Sequence, residues 1–195
     1  MARLIYATST GMYDLFTGGS ERALRILRAA YSRPGHKASR EIILVAEVDG
    51  AVAGVMAAFP APEADRRARR LLRLIIRRTP PWYWLRTLSI SRAGAEAAPV
   101  PPPDSLYVDA LATDTRFRRR GVATALLDEA SRLAAERGLR AVSLDTAAAN
   151  EGAQALYEAV GFEVSDRRPP AGRIPATVGY VRPLGRFGAN PDSDT

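Results

Sequence analysis

The chain of 195 residues contains no cysteine and a single histidine, His36. Without thiols there can be no disulfide, no cysteine nucleophile and no cysteine-ligated zinc. A lone imidazole in a polar run is typical of a solvated loop, so we expect no metal site. No apolar run approaches the roughly 18 residues that a transmembrane helix needs, and the first residues lack the apolar stretch of a signal peptide. We therefore predict a cytoplasmic, metal-free protein.

Lysine is almost absent as well. Of the 28 basic residues, 27 are arginine and one is Lys37. The formal net charge is +7, but residues 61–103 hold nine arginines against three acids. The positive charge therefore belongs to one segment, and any anionic partner would have to meet that segment.

Residues 61–103 are predicted to be a helical insertion. Residues 64–78 place leucines and isoleucines among seven arginines, a pattern that predicts a basic amphipathic helix. Pro80 and Pro81 end it, and a short helix follows to about Ile90. Three interpretations stay open: a cover over one sheet face or a dimer surface, a lid over a substrate pocket, or a helix lying on a membrane. The lid would use three aromatic residues: Trp82, Tyr83 and Trp84.

The rest of the chain alternates strands and helices. The Asp49-Gly50 pair between two apolar runs predicts a hairpin over residues 42–59. The order of elements predicts a mixed α/β domain over residues 1–184, with a central βαβ crossover, followed by a disordered tail over 185–195. The other predicted elements are a helix over 20–32 capped by Ser20, a strand over 105–113, a helix over 122–137, a strand over 141–145, a helix over 153–160, and strands over 162–166 and 177–181.

An arginine-rich motif joins the predicted strand 105–113 to the helix that follows it. The pattern Arg-x-x-Gly-x-Ala begins at Arg118. A helix N-terminus offers unpaired amides and the positive end of the helix dipole, and a glycine there lets a phosphate approach the backbone. By itself the pattern is weak evidence, because arginine and alanine are abundant in this chain. The candidate pyrophosphate ligands are Arg118, Arg119, Arg120, Gly121, Val122, Ala123 and Thr124.

A second motif lies about thirty residues further on. The segment from Asn150 to Phe162 reads Asn-x-x-Ala-x-x-Leu-Tyr-x-x-x-Gly-Phe, and its six specified positions make a chance match improbable. Asn150 can serve as a helix N-cap. Tyr157 is either a core aromatic residue or a functional one.

Together the two motifs resemble those of the GCN5-related N-acetyltransferase (GNAT) family, most clearly over residues 105–166. The resemblance implies a GNAT-like mixed, mostly antiparallel twisted sheet with flanking helices, and the helical insertion between its strands 3 and 4. It also implies acetyl-CoA as co-substrate and transfer of the acetyl group to a primary amine by direct attack in a ternary complex. The acceptor would be a small molecule or a peptide. We expect no nucleic acid and no stable membrane association, and the resemblance leaves a homodimer open.

The resemblance also assigns roles to residues. Backbone groups of Leu111, Ala112 and Thr113 would bind the pantetheine arm of acetyl-CoA. The amides of the arginine-rich motif would hold its pyrophosphate. Asn150, Ala153 and Tyr157 would line the arm, with Tyr157 near the sulfur.

The chemistry of thioester aminolysis requires a base, an oxyanion donor and an acid for the leaving thiolate. We predict the Leu111 amide as the oxyanion donor and Tyr157 as the acid. Asp109 is the predicted base, since it lies two residues before Leu111 and so on the same face of a regular strand. The alternatives are Tyr107, a water chain, and an Asp109 that merely pairs with an arginine. The rival function is a non-catalytic module that binds CoA, or that uses the arginine-rich insertion to hold nucleic acid or another anion.

Overall fold

The computed structural model describes Tyr6 and residues 11–185. Twelve helices and strands make up the described chain, besides short 3₁₀ turns. In chain order they are α1 (Met12–Thr17), α2 (Ser20–Tyr31), β1 (Ile43–Val48), β2 (Ala51–Pro60), α3 (Ala64–Ile76), α4 (Trp84–Ala97), β3 (Ser105–Thr113), α5 (Val122–Glu136), β4 (Ala141–Ala147), α6 (Glu151–Ala159), β5 (Glu163–Arg168) and β6 (Thr177–Pro183).

The strands form one six-stranded sheet in the order β1-β2-β3-β4-β6-β5. Every neighbouring pair is antiparallel except β3 and β4, which α5 connects as a parallel crossover. The β1–β2 turn has Asp49 and Gly50 with φ of 52° and 72°, the left-handed conformation that a tight hairpin turn needs. The predicted mixed, mostly antiparallel sheet with a central βαβ unit is confirmed.

One face of the sheet is covered by α5 and α6. The apolar stripe of α5, including Leu126, Leu127 and Ala130, packs on inward-facing residues of β2, β3 and β4. Gly54 of β2 permits this approach, because a Cβ there would lie 2.7 Å from the Cγ1 of Val122. The start of α5 is thereby held close to the centre of the sheet.

The other face is covered by α2 and the insertion. Leu71, Leu74 and Ile75 of α3 pack on Ile26 and Leu27 of α2, in a cluster that also contacts β1. The second helix, α4, buries Ile90 against residues of α1. The insertion thus covers a sheet face, as the first of the three interpretations had it, and leaves the arginine-rich side of α3 exposed.

Four local predictions need correction. Gly19, not Ser20, is the N-cap of α2 and no side chain caps that end. The helix that begins at Trp84 continues past Ile90 to Ala97. The insertion was predicted between strands 3 and 4, but in the described chain it lies between the second and third strands, β2 and β3. His36 is 4% exposed rather than solvated, because the loop after α2 folds under α3. Apart from Gly185, the predicted disordered tail lies outside the described residues.

Candidate active site

The parallel strands β3 and β4 separate partway along their length. They pair from Ser105–Ala141 to Val108–Leu144, and no further. Both strands continue beyond that point, β3 to Thr113 and β4 to Ala147. The centre of the sheet therefore contains a wedge-shaped gap with unpaired strand edges, and such edges need a partner that supplies backbone-like hydrogen bonds.

A β-bulge begins the unpaired part of β3. Ala57 pairs with Ala110 and Ala58 with Val108, so Asp109 has no partner on β2. The extra residue changes the alternation of side chains. Leu111 packs with Val108 in the core under α5, whereas Ala110 packs with Tyr107 on the opposite face. The prediction that Leu111 shares a strand face with Asp109 was therefore wrong, because a regular alternation does not hold across a bulge.

The amides of β3 beyond the bulge can be oriented from one hydrogen bond. The Asp114 amide donates to the Ala53 carbonyl on β2 at 2.8 Å. Amides of an extended strand point to alternate edges, so those of Leu111 and Thr113 point away from β2 and into the gap. Their backbone donors face the same open edge, which is what the predicted roles of these two residues require.

The gap leads to the N-terminus of α5. Gly121 has φ of 77° and precedes the helix, and Arg119 also takes a positive φ of 57°. No side chain caps this end, and the side chains of Arg118, Arg119 and Arg120 are exposed. The first amides of α5, from Val122 to Thr124, therefore have no side-chain acceptor among the described residues. This is a ready site for a phosphate anion.

Helix α6 brings Tyr157 and Asn150 toward the gap from the β4 side. Tyr157 is 7% exposed and its ring packs on Phe162 and Tyr180. Burial, together with the charge of Asp145, raises the pKa of Tyr157 to about 12. Tyr157 consequently keeps its proton at neutral pH, and can serve as an acid but not as a phenolate base. Asn150 caps α6 by accepting from the Ala153 amide at 3.3 Å.

A cluster of ionisable side chains occupies the closed end of the gap. The Nζ of Lys37 lies 2.6 Å from Oδ1 of Asp109 and 5.6 Å from the centre of the Tyr107 ring. The Tyr107 hydroxyl donates to Oδ1 of Asp145 on β4. Asp109 and Asp145 are both at the position where β3 and β4 stop pairing. Two carboxylates, one ammonium and one phenol thus meet in a largely buried space.

The electrostatics of this cluster distinguish its members. Burial raises the pKa of Asp145, with a further contribution from the Asp109 charge, and these outweigh the opposing hydrogen bond from Tyr107 and the charge of Lys37. Burial alone would lower the pKa of Lys37, but the adjacent Asp109 carboxylate more than compensates and the pKa is raised. Lys37 therefore stays cationic at neutral pH and holds Asp109 as its counter-ion.

The structure brings together most of the predicted residues and adds two. Leu111 to Thr113, Gly121 to Thr124 and Tyr157 surround the gap or its continuation at α5. Asp109 is paired with a lysine rather than an arginine. Lys37 and Asp145 were missed. Asp145 ends a strand that the sequence predicted to be buried and parallel to β3. Because the carboxyl ends of neighbouring parallel strands lie side by side, Asp145 could have been predicted from the sequence to lie near Asp109.

An open strand edge, an uncapped helix N-terminus and a buried phenol together suit a long ligand with a backbone-like arm and a phosphate end. The fold is that of acetyltransferase domains. The chain belongs to the acetyltransferase (GNAT) family, whose sequence model matches residues 10–162.

Several solved structures share this fold. An acetyltransferase structure is 23% identical, with a TM-score of 0.69, covering 94% of this chain and 93% of the other. An N-acetyltransferase from Staphylococcus aureus Mu50 is 22% identical, with a TM-score of 0.69 and 92% of each chain covered. A putative streptothricin acetyltransferase from Bacillus anthracis str. Ames in complex with acetyl coenzyme A is 13% identical, with a TM-score of 0.50, covering 82% of this chain and 68% of the other. No curated protein matches the chain.

No group of three or more histidine, aspartate or glutamate side chains in residues 11–185 is arranged to hold a metal ion. None of the helices in that part of the chain is long and apolar enough to cross a membrane.

Proposed function

We propose that the protein is an acetyl-CoA-dependent N-acetyltransferase that acts on a primary amine by direct attack within a ternary complex. The observation that carries the proposal is the continuity between the open edge of β3 and the uncapped N-terminus of α5. Membership of the GNAT family supports it.

The backbone supplies most of the binding. The amides of Leu111 and Thr113 donate to the pantetheine arm as a neighbouring strand would, and Ala112 completes that edge. The amides from Arg119 to Thr124 receive the pyrophosphate, with charge from Arg118, Arg119 and Arg120. On the other side of the arm, Asn150 and Ala153 lie at the start of α6, and Tyr157 lies deeper. These contacts use main-chain donors, so they tolerate wide variation in side chains.

The chemistry needs one proton acceptor and one proton donor. An amine of lysine type arrives protonated, and a carboxylate removes its proton so that the nitrogen lone pair can attack the thioester carbon. The Leu111 amide stabilises the oxyanion of the tetrahedral intermediate. When the intermediate collapses, the carbon–sulfur bond breaks and Tyr157 donates its proton to the leaving sulfur. The new amide nitrogen releases its second proton, which restores the Tyr157 hydroxyl through solvent, and the carboxylate gives the first proton to bulk water. No covalent enzyme intermediate is required, which agrees with the absence of cysteine.

Two carboxylates compete for the role of base. Asp109 is the residue that the sequence suggested, and it points into the cluster from the bulge. However, its carboxylate is already engaged in an ion pair with the Lys37 ammonium at 2.6 Å. Asp145 has a raised pKa and its charge reaches Tyr157. We therefore place Asp145 first as the base and Asp109 second.

The first experiment is calorimetric titration of the protein with acetyl-CoA and, separately, with CoA. We expect micromolar binding that is lost in Gly121→Glu, because a carboxylate would occupy the phosphate site. Gly138→Glu is the matched control. Gly138 follows the other end of α5 and has a similar φ of 67°, and a Cβ added at either glycine would meet no atom within 4 Å. Both variants carry the same backbone strain, so only the position of the new charge differs.

Binding that Gly121→Glu abolishes and Gly138→Glu retains would justify a screen of amines by release of free CoA thiol. Equal binding by both variants would exclude the arginine-rich cradle as the phosphate site. If neither acetyl-CoA nor CoA binds the unmodified protein, the acetyltransferase proposal fails and the non-catalytic alternative takes its place.

A further inference from the structure

The turn between α3 and α4 exposes an unusual concentration of apolar side chains. Trp82 is 78% exposed and Leu85 is 83% exposed, while Leu88 and Trp84 are about half exposed. Leu85 and Leu88 lie three residues apart on α4 and so share one face of the helix. Both tryptophans of the chain belong to this surface. We call Trp82, Trp84, Leu85 and Leu88 the Trp82 patch.

Unpaired arginines flank the Trp82 patch. Arg73, Arg77 and Arg78 are exposed on the last turn of α3 and just after it, and Arg86 is exposed on the first turn of α4. None of the four has a carboxylate partner in the described part of the chain, whereas Arg66, Arg67 and Arg92 all do. The charge at this end of the insertion is therefore uncompensated.

The turn is held rigidly. The Trp84 indole donates to the carbonyls of Ile76 and Thr79, at 3.1 Å in each case, and so satisfies the end of α3. The Tyr83 ring packs under the guanidinium of Arg22, at 5.2 Å, which fixes the turn to α2. Trp82 and Leu85 are thus presented from an ordered scaffold, and their binding would cost little conformational entropy.

We propose that the Trp82 patch docks the protein reversibly on an anionic lipid surface. Tryptophan and leucine favour the boundary between headgroups and acyl chains, and arginines beside them pair with lipid phosphates. The positive charge of the flanking arginines is complementary to an anionic lipid surface and favours it over the alternative partners. Two copies of the chain meeting through this surface would bring eight uncompensated guanidinium groups together, which like-charge repulsion opposes. Nucleic acid would satisfy the arginines but offers nothing to Leu85 and Leu88.

The proposal concerns a surface apart from the β3–β4 gap, so it stands or falls independently of the catalytic function. It describes peripheral and reversible contact, in which no helix crosses the bilayer. It refines the expectation from sequence that stable membrane association is absent.

The test is co-sedimentation of the full-length protein with vesicles of phosphatidylcholine alone and of phosphatidylcholine mixed equally with phosphatidylglycerol. We expect binding to the anionic vesicles, weakened by salt, and little binding to the neutral ones. Arg77→Gln/Arg78→Gln should weaken partitioning about tenfold or more. The matched control is Arg137→Gln/Arg140→Gln, which removes the same charge from exposed positions after α5, on the other face of the sheet.

The apolar contribution is tested separately. Trp82→Ser/Leu85→Ser changes two exposed side chains, so the fold should be retained, and partitioning should fall about tenfold or more. Val100→Ser, at a position 76% exposed in the linker before β3, is its control. In Trp84→Phe, Trp82 is the only tryptophan, and its emission should shift to shorter wavelength on anionic vesicles.

Three results would overturn the proposal. One is no partitioning onto anionic vesicles even at low salt. Another is partitioning onto anionic vesicles that Trp82→Ser/Leu85→Ser leaves unchanged, because the binding would then depend on the positive charge of the protein alone and not on the apolar side chains. The third applies if no vesicle binding is seen. A concentration-dependent dimer that the same variants abolish would then assign the patch to a second copy of the chain, and binding to an oligonucleotide duplex that they abolish would assign it to nucleic acid.

Discussion

The two sides of the candidate active site are built by different means. The proposed cofactor side, from β3 through α6, presents backbone amides, an uncapped helix end and exposed arginines. The proposed acceptor side, formed by the loop after α2 and the closed end of the gap, presents a buried ion pair and a hydrogen-bonded carboxylate. The first side is open and relies on main-chain geometry, whereas the second is closed and depends on particular side chains.

This difference explains where substitutions should matter. A main-chain donor survives most side-chain changes, so cofactor binding should be lost only when the backbone or the phosphate space is altered. A buried charge has no such tolerance, because removing its partner leaves it unsolvated. We therefore expect the acceptor side to be the more fragile in both activity and stability.

The largest effect should come from the base. Asp145→Asn should lower kcat about 10³-fold, because it removes the proton acceptor while keeping an acceptor atom for the Tyr107 hydroxyl. The pKa of Asp145 is raised, so in the unmodified enzyme the rate should increase with pH through that pKa, and this increase should vanish in Asp145→Asn. Asp109→Asn should cost about tenfold in kcat. The measurement is a pH–rate profile for each variant, and the reverse ranking would restore Asp109 as the base.

The second effect should appear in stability. Lys37→Met removes the cation that faces Asp109, and the free energy of unfolding should fall by about 3 kcal/mol, measured by urea denaturation at neutral pH. The Lys37 charge opposes the burial that raises the pKa of Asp145, so its removal should raise that pKa further above the unfolded value. The loss should therefore be largest above the pKa of Asp145 and should diminish as acidification protonates that carboxyl group.

A double variant provides the control for this stability effect. Lys37→Met/Asp109→Leu removes both members of the ion pair, so it should recover part of the lost stability, because Asp109 no longer remains as a buried carboxylate without its cation. A single variant no less stable than the double one would contradict a structural role for the ion pair.

The third effect tests the shared border of the two sides, where Tyr157 lies. Tyr157→Phe keeps the ring packing on Phe162 and Tyr180 but removes the proton donor. We expect kcat to fall about 10²-fold with little change in acetyl-CoA affinity. Steady-state kinetics and calorimetry on the same preparation separate the two quantities. Unchanged turnover would end the assignment of Tyr157 as the acid.

The main-chain features of the proposed cofactor side were easier to predict from the sequence than the side-chain contacts of the proposed acceptor side. Main-chain features are specified by short local patterns, such as the glycine before α5 and the Asp49-Gly50 turn, and such patterns can be recognised directly in the sequence. The bulge at Asp109 is specified by pairing with β2 and has no local signature, so the side-chain directions beyond it could not be read. Lys37 stands out as the lone lysine, but its contact with Asp109 spans 72 residues of chain.

The smallest effect should be at Asn150, which belongs to the cofactor side yet acts through its side chain. Its Oδ1 accepts from the Ala153 amide at 3.3 Å, and its Nδ2 donates to the Thr146 hydroxyl at 3.2 Å. Asn150→Ala should cost about 1 kcal/mol in unfolding free energy through loss of the cap. Asn150→Asp keeps the capping acceptor but adds a negative charge near the bound CoA arm. If Asn150 also contacts that arm, Asn150→Asp should retain stability and weaken acetyl-CoA binding, whereas a purely structural cap predicts no change in binding.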